Sequence, residues 1–239
     1  VQLRTQVLVR QIVRAEDGGF LIEGRGLEQP LRARKLMLAT GGHPSGRRLA
    51  ESLGHQVIPP VPSLFGLSLH AKALAACSGI AVDDVTLDLK IGNQRFRQTG
   101  RVLITHRGLS GPATLRLSAF AARALHQSRY RGELKLDWSS GLGRKGVEQR
   151  LGHWRLDKAR RTLTSANPFE HLPRRLWQAF LSEADVEGER RWADLPLKAE
   201  RQLVETLCSQ RLLIRGRGPF GEEFVTAGGV DLGLSLIHI

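Results

Sequence analysis

The side chains best suited to chemistry sit in Thr105-His-Arg-Gly-Leu-Ser-Gly-Pro112, where His106 and Arg107 lie among glycines between a strand-like and a helix-like run. Free N–H groups and the dipole at a helix start favour an anion, and Arg107 adds a fixed charge. The pair therefore reads as a donor or anion clamp. The competing reading is that Ser110 and Pro112 merely begin a helix. Within the same run, Gly108-Leu-Ser-Gly111 resembles a nucleophile elbow, but Pro112 stands where the last glycine belongs. A hydrolase ranks third among the readings.

Other motifs are weaker. Gly141–Gly146 and Gly216–Gly221 both match G-x-G-x-x-G. After the first, no second parallel strand with an acidic end appears about twenty residues on. The second leads into a strand rather than a helix. Both read as loops. The eight histidines show no metal-ligand spacing, and no metal is expected. Cys77 and Cys208 stand alone and read as buried small residues. Two junctions at opposite ends of the chain, Ala39-Thr40-Gly41-Gly42 and Val225-Thr226-Ala-Gly228-Gly229-Val230, each end a strand-like run in a double glycine. Main chain can approach a flat or charged ligand there without a Cβ in the way.

Around these residues the chain divides by pattern. Val1–Val13 alternates, Asp17-Gly18-Gly19 turns into Phe20-Leu21-Ile22, and Lys35–Thr40 is apolar enough to be a strand buried on both faces. Arg47–Leu53 reads as a short helix closed by Gly54, and Pro59, Pro60 and Pro62 mark a boundary. From Leu64 to Trp138 alternation dominates, interrupted by a helix over Ala113–His126. Helix formers then take over at Gly146–Arg155, Pro173–Glu183 and Leu197–Ser209, before extended Leu212–Ile214 and Glu223–Thr226.

Composition bounds the class. The chain has 239 residues, 41% of them hydrophobic, which suffices for a packed core. No run approaches the ~20 apolar residues of a membrane helix, so a cytoplasmic protein without membrane contact is expected. The 36 Lys and Arg, 29 of them Arg, oppose 23 Asp and Glu, for a net charge of +13. Such a field attracts polyanions in a salt-dependent way, although 5% aromatic content shows no base-stacking platform.

KLMLATGG (35–42), HQVIPPVPSLF (55–65), THRGLSGPA (105–113) and EFVTAGGVDL (223–232) together resemble landmarks of the NAD(P)/FAD-dependent oxidoreductases, the aminoacetone-oxidase-like, BaiN/RdsA-type flavoproteins. The resemblance implies a mixed α/β chain: part of a glutathione-reductase-like FAD domain with an inserted β-barrel-like segment and a helical segment. It divides the chain into a partial FAD domain (1–56), a β-rich insertion (57–140), a helical insertion (141–209) and a return to the FAD domain (210–239). It further implies FAD contacts at the Val7 main chain, at Thr40, Gly41 and Gly42, and at Thr226, Gly228 and Gly229. His106 and Arg107 fall on the substrate side, NAD(P)H is the candidate reductant, and the substrate is a small molecule or ribosomal RNA.

Three departures accompany it. The family's N-terminal glycine-rich strand–turn–helix that grips the pyrophosphate is absent from this sequence, the loop after Gly42 is short, and Leu234–Ile239 resembles translated adapter sequence. The chain is thus read as an internal, inactive fragment of an FAD enzyme. The alternative is a basic RNA- or ribosome-binding module with no redox activity of its own.

Overall fold

The computed structural model describes residues 2–218 and 225–234, in two compact units, Val1–Val61 with Phe224–Ile239 and Pro62–Glu223.

The first unit opens with an antiparallel meander, β1 (Leu8–Arg14), β2 (Phe20–Arg25) and β3 (Leu31–Ala33). The turn after β1 works as its residues require. Gly18 takes φ 84°, the Asp17 carboxylate accepts from Gly19 N at 3.2 Å, and Arg32 on β3 pairs with Asp17 at 2.6 Å. Helix α1 (Pro44–Ser52) follows, capped by the His43 ring and ended by Gly54 at φ 87°. Strand β4 (Val57–Pro62) pairs with the distant β11 (Thr226–Val230), and Asp231 N donates to Gln56 O.

Lys35–Thr40 departs from expectation. It is unpaired and mostly exposed, with Met37 86% accessible. A strand apolar on both faces needs neighbours along both edges and a layer on each side, and the described residues of this unit supply none. Of the expected strand Glu223–Thr226, residues 223 and 224 lie outside the described residues.

The second unit is a closed antiparallel barrel carrying a helical segment. Its strands are β5 (Leu67–Leu69), β6 (Ala81–Ile91), β7 (Gln94–Thr105), β8 (Gly108–Ser110), β9 (Gly132–Asp137) and β10 (Gln210–Arg217), in the order β10-β5-β8-β7-β6-β9. Alternation drives it: Leu87, Leu89, Val102, Ile104, Leu134 and Leu136 point inward and are fully buried. On β6 the phase is reset by a bulge between Val82 and Val85, where Asp84 takes φ 54°, so both valines face the core. Short helix α2 (Lys72–Ala75) lies between β5 and β6. The expected helix 113–126 appears as α3 (Pro112–Phe120) and α4 (Ala122–Gln127). Its backbone ladder persists across the junction, through Ala121 N to Leu117 O and Leu125 N to Ala121 O, so this is one kinked helix.

Between β9 and β10 run α5 (Gly143–Asp157), α6 (Arg174–Glu183), a 3-10 turn (Trp192–Asp194) and α7 (Leu197–Ser209). Trp138, Trp177 and Trp192 are fully buried, and each indole N–H is satisfied, by Gln210 Oε1, Leu163 O and Ala166 O. Gln210 also donates to Glu183 at 2.8 Å, tying the barrel's last strand to α6.

The barrel closes through its shortest strands. Gly108 lies so close to β5 that a Cβ there would overlap Leu67 O and sit 2.9 Å from Leu69 N. Gly108→Ala should therefore part β5 from β8, lowering stability by about 3 kcal/mol or more, a size reached only by core or backbone disruption. Thermal unfolding measures it; a midpoint equal to the parent's would show that β5 shifts freely.

Candidate functional site

Helix α1 is the common neighbour of the candidate cofactor residues. The Thr40 side chain rests on Gly46, where a Cβ would overlap its hydroxyl, and Arg47 Nη1 holds Gly42 O at 2.7 Å. These two contacts fold the 40–42 segment back onto the helix start. Strands β1 and β11 also pack against α1, and Val7 directly precedes β1. Gly41 is left-handed at φ 60° and Gly229 sits at φ 118°. At Gly41, Gly42 and Gly229 a Cβ would meet nothing within 4 Å, whereas at Gly228 it would lie 2.9 Å from Ile58 O, Pro59 O and Pro60 Cα.

The glycines thus divide by role. Gly228 is required by its approach to β4. Gly41 is required by its backbone angle, and with Gly42 and Gly229 it leaves main chain open to approach. Thr40 and Thr226 are exposed beside them. Sequence spacing could not reveal the Thr40–Gly46 contact, because Gly46 reads as part of the short loop before the helix at Arg47–Leu53.

His106 and Arg107 belong to the other unit, and their setting differs from expectation. They form a tight turn between β7 and β8, with Thr105 paired to Gly108 and Arg107 O accepting from Leu69 N at 2.8 Å. Strand β8 separates them from the start of α3, whose cap is Gly111 at φ 92° with no side-chain bond. The helix dipole therefore gives them no support. Both are exposed and line a cleft of about 190 Å³ with His70 and Lys72, which follow β5. Among the described residues, that cleft carries no carboxylate. Only the β5–β8 pairing brings residues 70–72 to 106–107, so no local signal could have found them. Ser110 ends β8, and among the described residues no His or carboxylate bonds its hydroxyl.

The remaining motifs resolve as structure. Gly141 and Gly143 take φ 80° and 66° at the turn into α5, and no strand follows that helix in βαβ fashion. Cys77 and Cys208 are buried; burial pushes the Cys77 thiol up, and burial with nearby Asp137 pushes Cys208 up to about 11. No helix among the described residues is long and apolar enough to cross a membrane.

The barrel and its helical segment coincide with a known domain. Residues 61–225 match the family model of the HI0933-like protein barrel and H2TH domain. The chain belongs to this family. HI0933-like proteins are FAD-dependent oxidoreductases of the BaiN/RdsA type, the group that the sequence landmarks resemble. Similar relatives are a ribosomal RNA dihydrouridine synthase of Escherichia coli (27% identical over 96% of this chain and 55% of the relative) and one of Haemophilus influenzae (27%, 97% and 56%). A 3-dehydro-bile acid delta(4,6)-reductase of Clostridium scindens is 28% identical over 98% of this chain and 58% of its own. The HI0933-like chain thus spans little more than half the length of the curated relatives it matches.

Neither thiol fits a redox role. With Cys208 near 11, about one molecule in a thousand carries the thiolate at pH 8. A maleimide titration at that pH should modify neither cysteine in the native chain and both after denaturation. Rapid native labelling would place a thiol at the surface.

Proposed function

We propose that this chain is part of an FAD-dependent oxidoreductase, moving a hydride or electron pair between flavin and a small molecule or an RNA base, with NAD(P)H as reductant. The supporting observation is that two glycine junctions from opposite ends of the chain adjoin one helix and leave open main chain at Gly41, Gly42 and Gly229. A flat ring can approach such a surface without displacing a side chain. On this reading Thr40, Gly41 and Gly42, with Thr226, Gly228 and Gly229, line the flavin, and the Val7 main chain meets the adenine end.

The flavin, when bound, supplies the hydride or electron transfer itself. The chain's own residues position and shield it. Among the described residues of this unit there is no glycine-rich strand–turn–helix, so no residue is assigned to the pyrophosphate. Arg107 and His106, with Lys72 and His70, hold an anionic group of the substrate, because four basic side chains surround a cleft that among the described residues lacks a carboxylate. The relatives' names, two dihydrouridine synthases and a reductase, support reduction of the substrate as the direction. A cytoplasmic location belongs to the same proposal.

A basic RNA- or ribosome-binding module without redox activity is the second reading, favoured by the net charge of +13. It predicts RNA affinity that falls steeply with salt in a flavin-free sample.

Two variants of the full-length enzyme separate the roles. Gly41→Val places a branched side chain in the opening and strains a left-handed backbone by about 1–3 kcal/mol. Gly54→Val carries the same strain at φ 87° where α1 ends. Flavin absorbance should fall for the first and persist for the second; equal occupancy would remove the 40–42 segment from the cofactor site. Arg107→Ala should lower kcat/KM about tenfold or more with flavin retained, since a charged hydrogen bond contributes about 1.5–3 kcal/mol. Unchanged turnover would reduce the 106–107 turn to a strand connection.

A further inference from the structure

The excess positive charge is unevenly spread. Residues 62–137 and 210–218, the barrel with α2–α4, hold 14 Lys and Arg against 5 Asp and Glu. The helical segment, residues 138–209, holds 13 against 10. Within it, Arg144 pairs with Glu205, Arg155 with Glu200, and Lys158 and Arg150 lie over the Trp154 and Phe169 rings.

On the barrel, strand register sets the charges in rows. Side chains directly opposite across an antiparallel pair share a face. One outward row reads Arg211, Lys135, Asp88, Arg97 across β10, β9, β6 and β7. The next reads Leu213, Glu133, Lys90, Arg95. Arg215 continues β10 on the same side, two residues beyond Leu213. Both carboxylates are already engaged, Asp88 by Arg95 at 2.8 Å and Glu133 by Arg211 at 3.2 Å. Among the described residues, Lys90, Lys135, Arg97 and Arg215 have no acidic partner. Six of these side chains line a shallow cleft of about 310 Å³.

We propose that this outer face of the β10-β9-β6-β7 sheet docks the phosphate backbone of structured RNA. With strands about 4.8 Å apart, a row of four spans about 14 Å, room for several phosphates. The face offers fixed cations on rigid strands, with no aromatic residue to stack a base. It therefore reads backbone and shape rather than sequence. A membrane is a poorer match, because Leu213 is the one large apolar side chain in these rows and nothing surrounds it to form a wedge. The proposal deepens the reading above, naming what carries an RNA substrate and placing that contact on the barrel rather than on the helical segment.

The test is fluorescence anisotropy of a labelled RNA hairpin titrated with the 239-residue chain across a salt series. Lys90→Gln/Arg97→Gln/Lys135→Gln should bind at least about tenfold more weakly, with the slope of log K against log salt reduced by about 2–3. Lys145→Gln/Arg160→Gln/Arg161→Gln removes the same charge from the helical segment and should bind like the parent. A scrambled hairpin should bind equally well. If the triple variant fails to fold by circular dichroism, Lys135→Gln alone should lower the slope by about 1. Equal losses in both triple variants, no RNA binding by the parent, or binding to phosphatidylserine vesicles in preference to RNA would each overturn the proposal. Flavin absorbance of the full-length protein reports separately on the redox reading: colourless protein that still binds RNA through these residues ends that reading and leaves this one standing.

Discussion

Closure of the barrel across β5 is the constraint on which the second unit depends. That strand has three residues, yet it must pair with β8 on one side and β10 on the other. Only a glycine at position 108 lets the two backbones come so near. The same seam draws Arg107 O onto Leu69 N and so fixes where the His106–Arg107 turn points. Closed antiparallel strands leave no unpaired edge, so the barrel presents side chains rather than open main chain to its surroundings.

The two units consequently offer different surfaces. In the first, glycines at 41, 42 and 229 expose main chain beside α1, which suits a flat, uncharged ring system. In the second, register sorts apolar residues inward and ranks cations outward, which suits an extended anion. Membership of the HI0933-like family says nothing of how the charge is apportioned between barrel and helices. That apportionment follows from counting carboxylates, few on the barrel and many on α6, α7 and the loop between them.

Local patterns carried far along the chain. Leu197–Ser209 is a helix at the boundaries its apolar spacing implies, and Val85, Leu87 and Leu89 alternate inward as read. What failed depended on remote partners. Lys35–Thr40 has a core strand's composition, but its state depends on neighbours that sequence spacing cannot supply. The segment 105–112 reads in sequence as strand running directly into helix because β8, three residues long, leaves no periodicity to detect. Residues His70 and Lys72 joined the 106–107 cleft through pairing some forty residues apart, which propensity does not encode. The glycine junctions were legible as special positions, but which of them is crowded and which open required the β4–β11 pairing and the seat of Thr40 on α1.

The order of strands around the barrel also bears on its birth. Strand β10 completes the ring between β9 and β5, yet it is made after the whole helical segment. A nascent chain emerging from N- to C-terminus must therefore hold a five-stranded open sheet, with β5 and β9 unpaired along their outer edges, until some seventy more residues have been translated. Long-range pairing of that kind is slow and leaves edges available to other chains meanwhile. The tryptophan-rich packing of α5–α7 can form from residues closer in sequence, so a helical cap assembled first would carry β10 into the waiting gap.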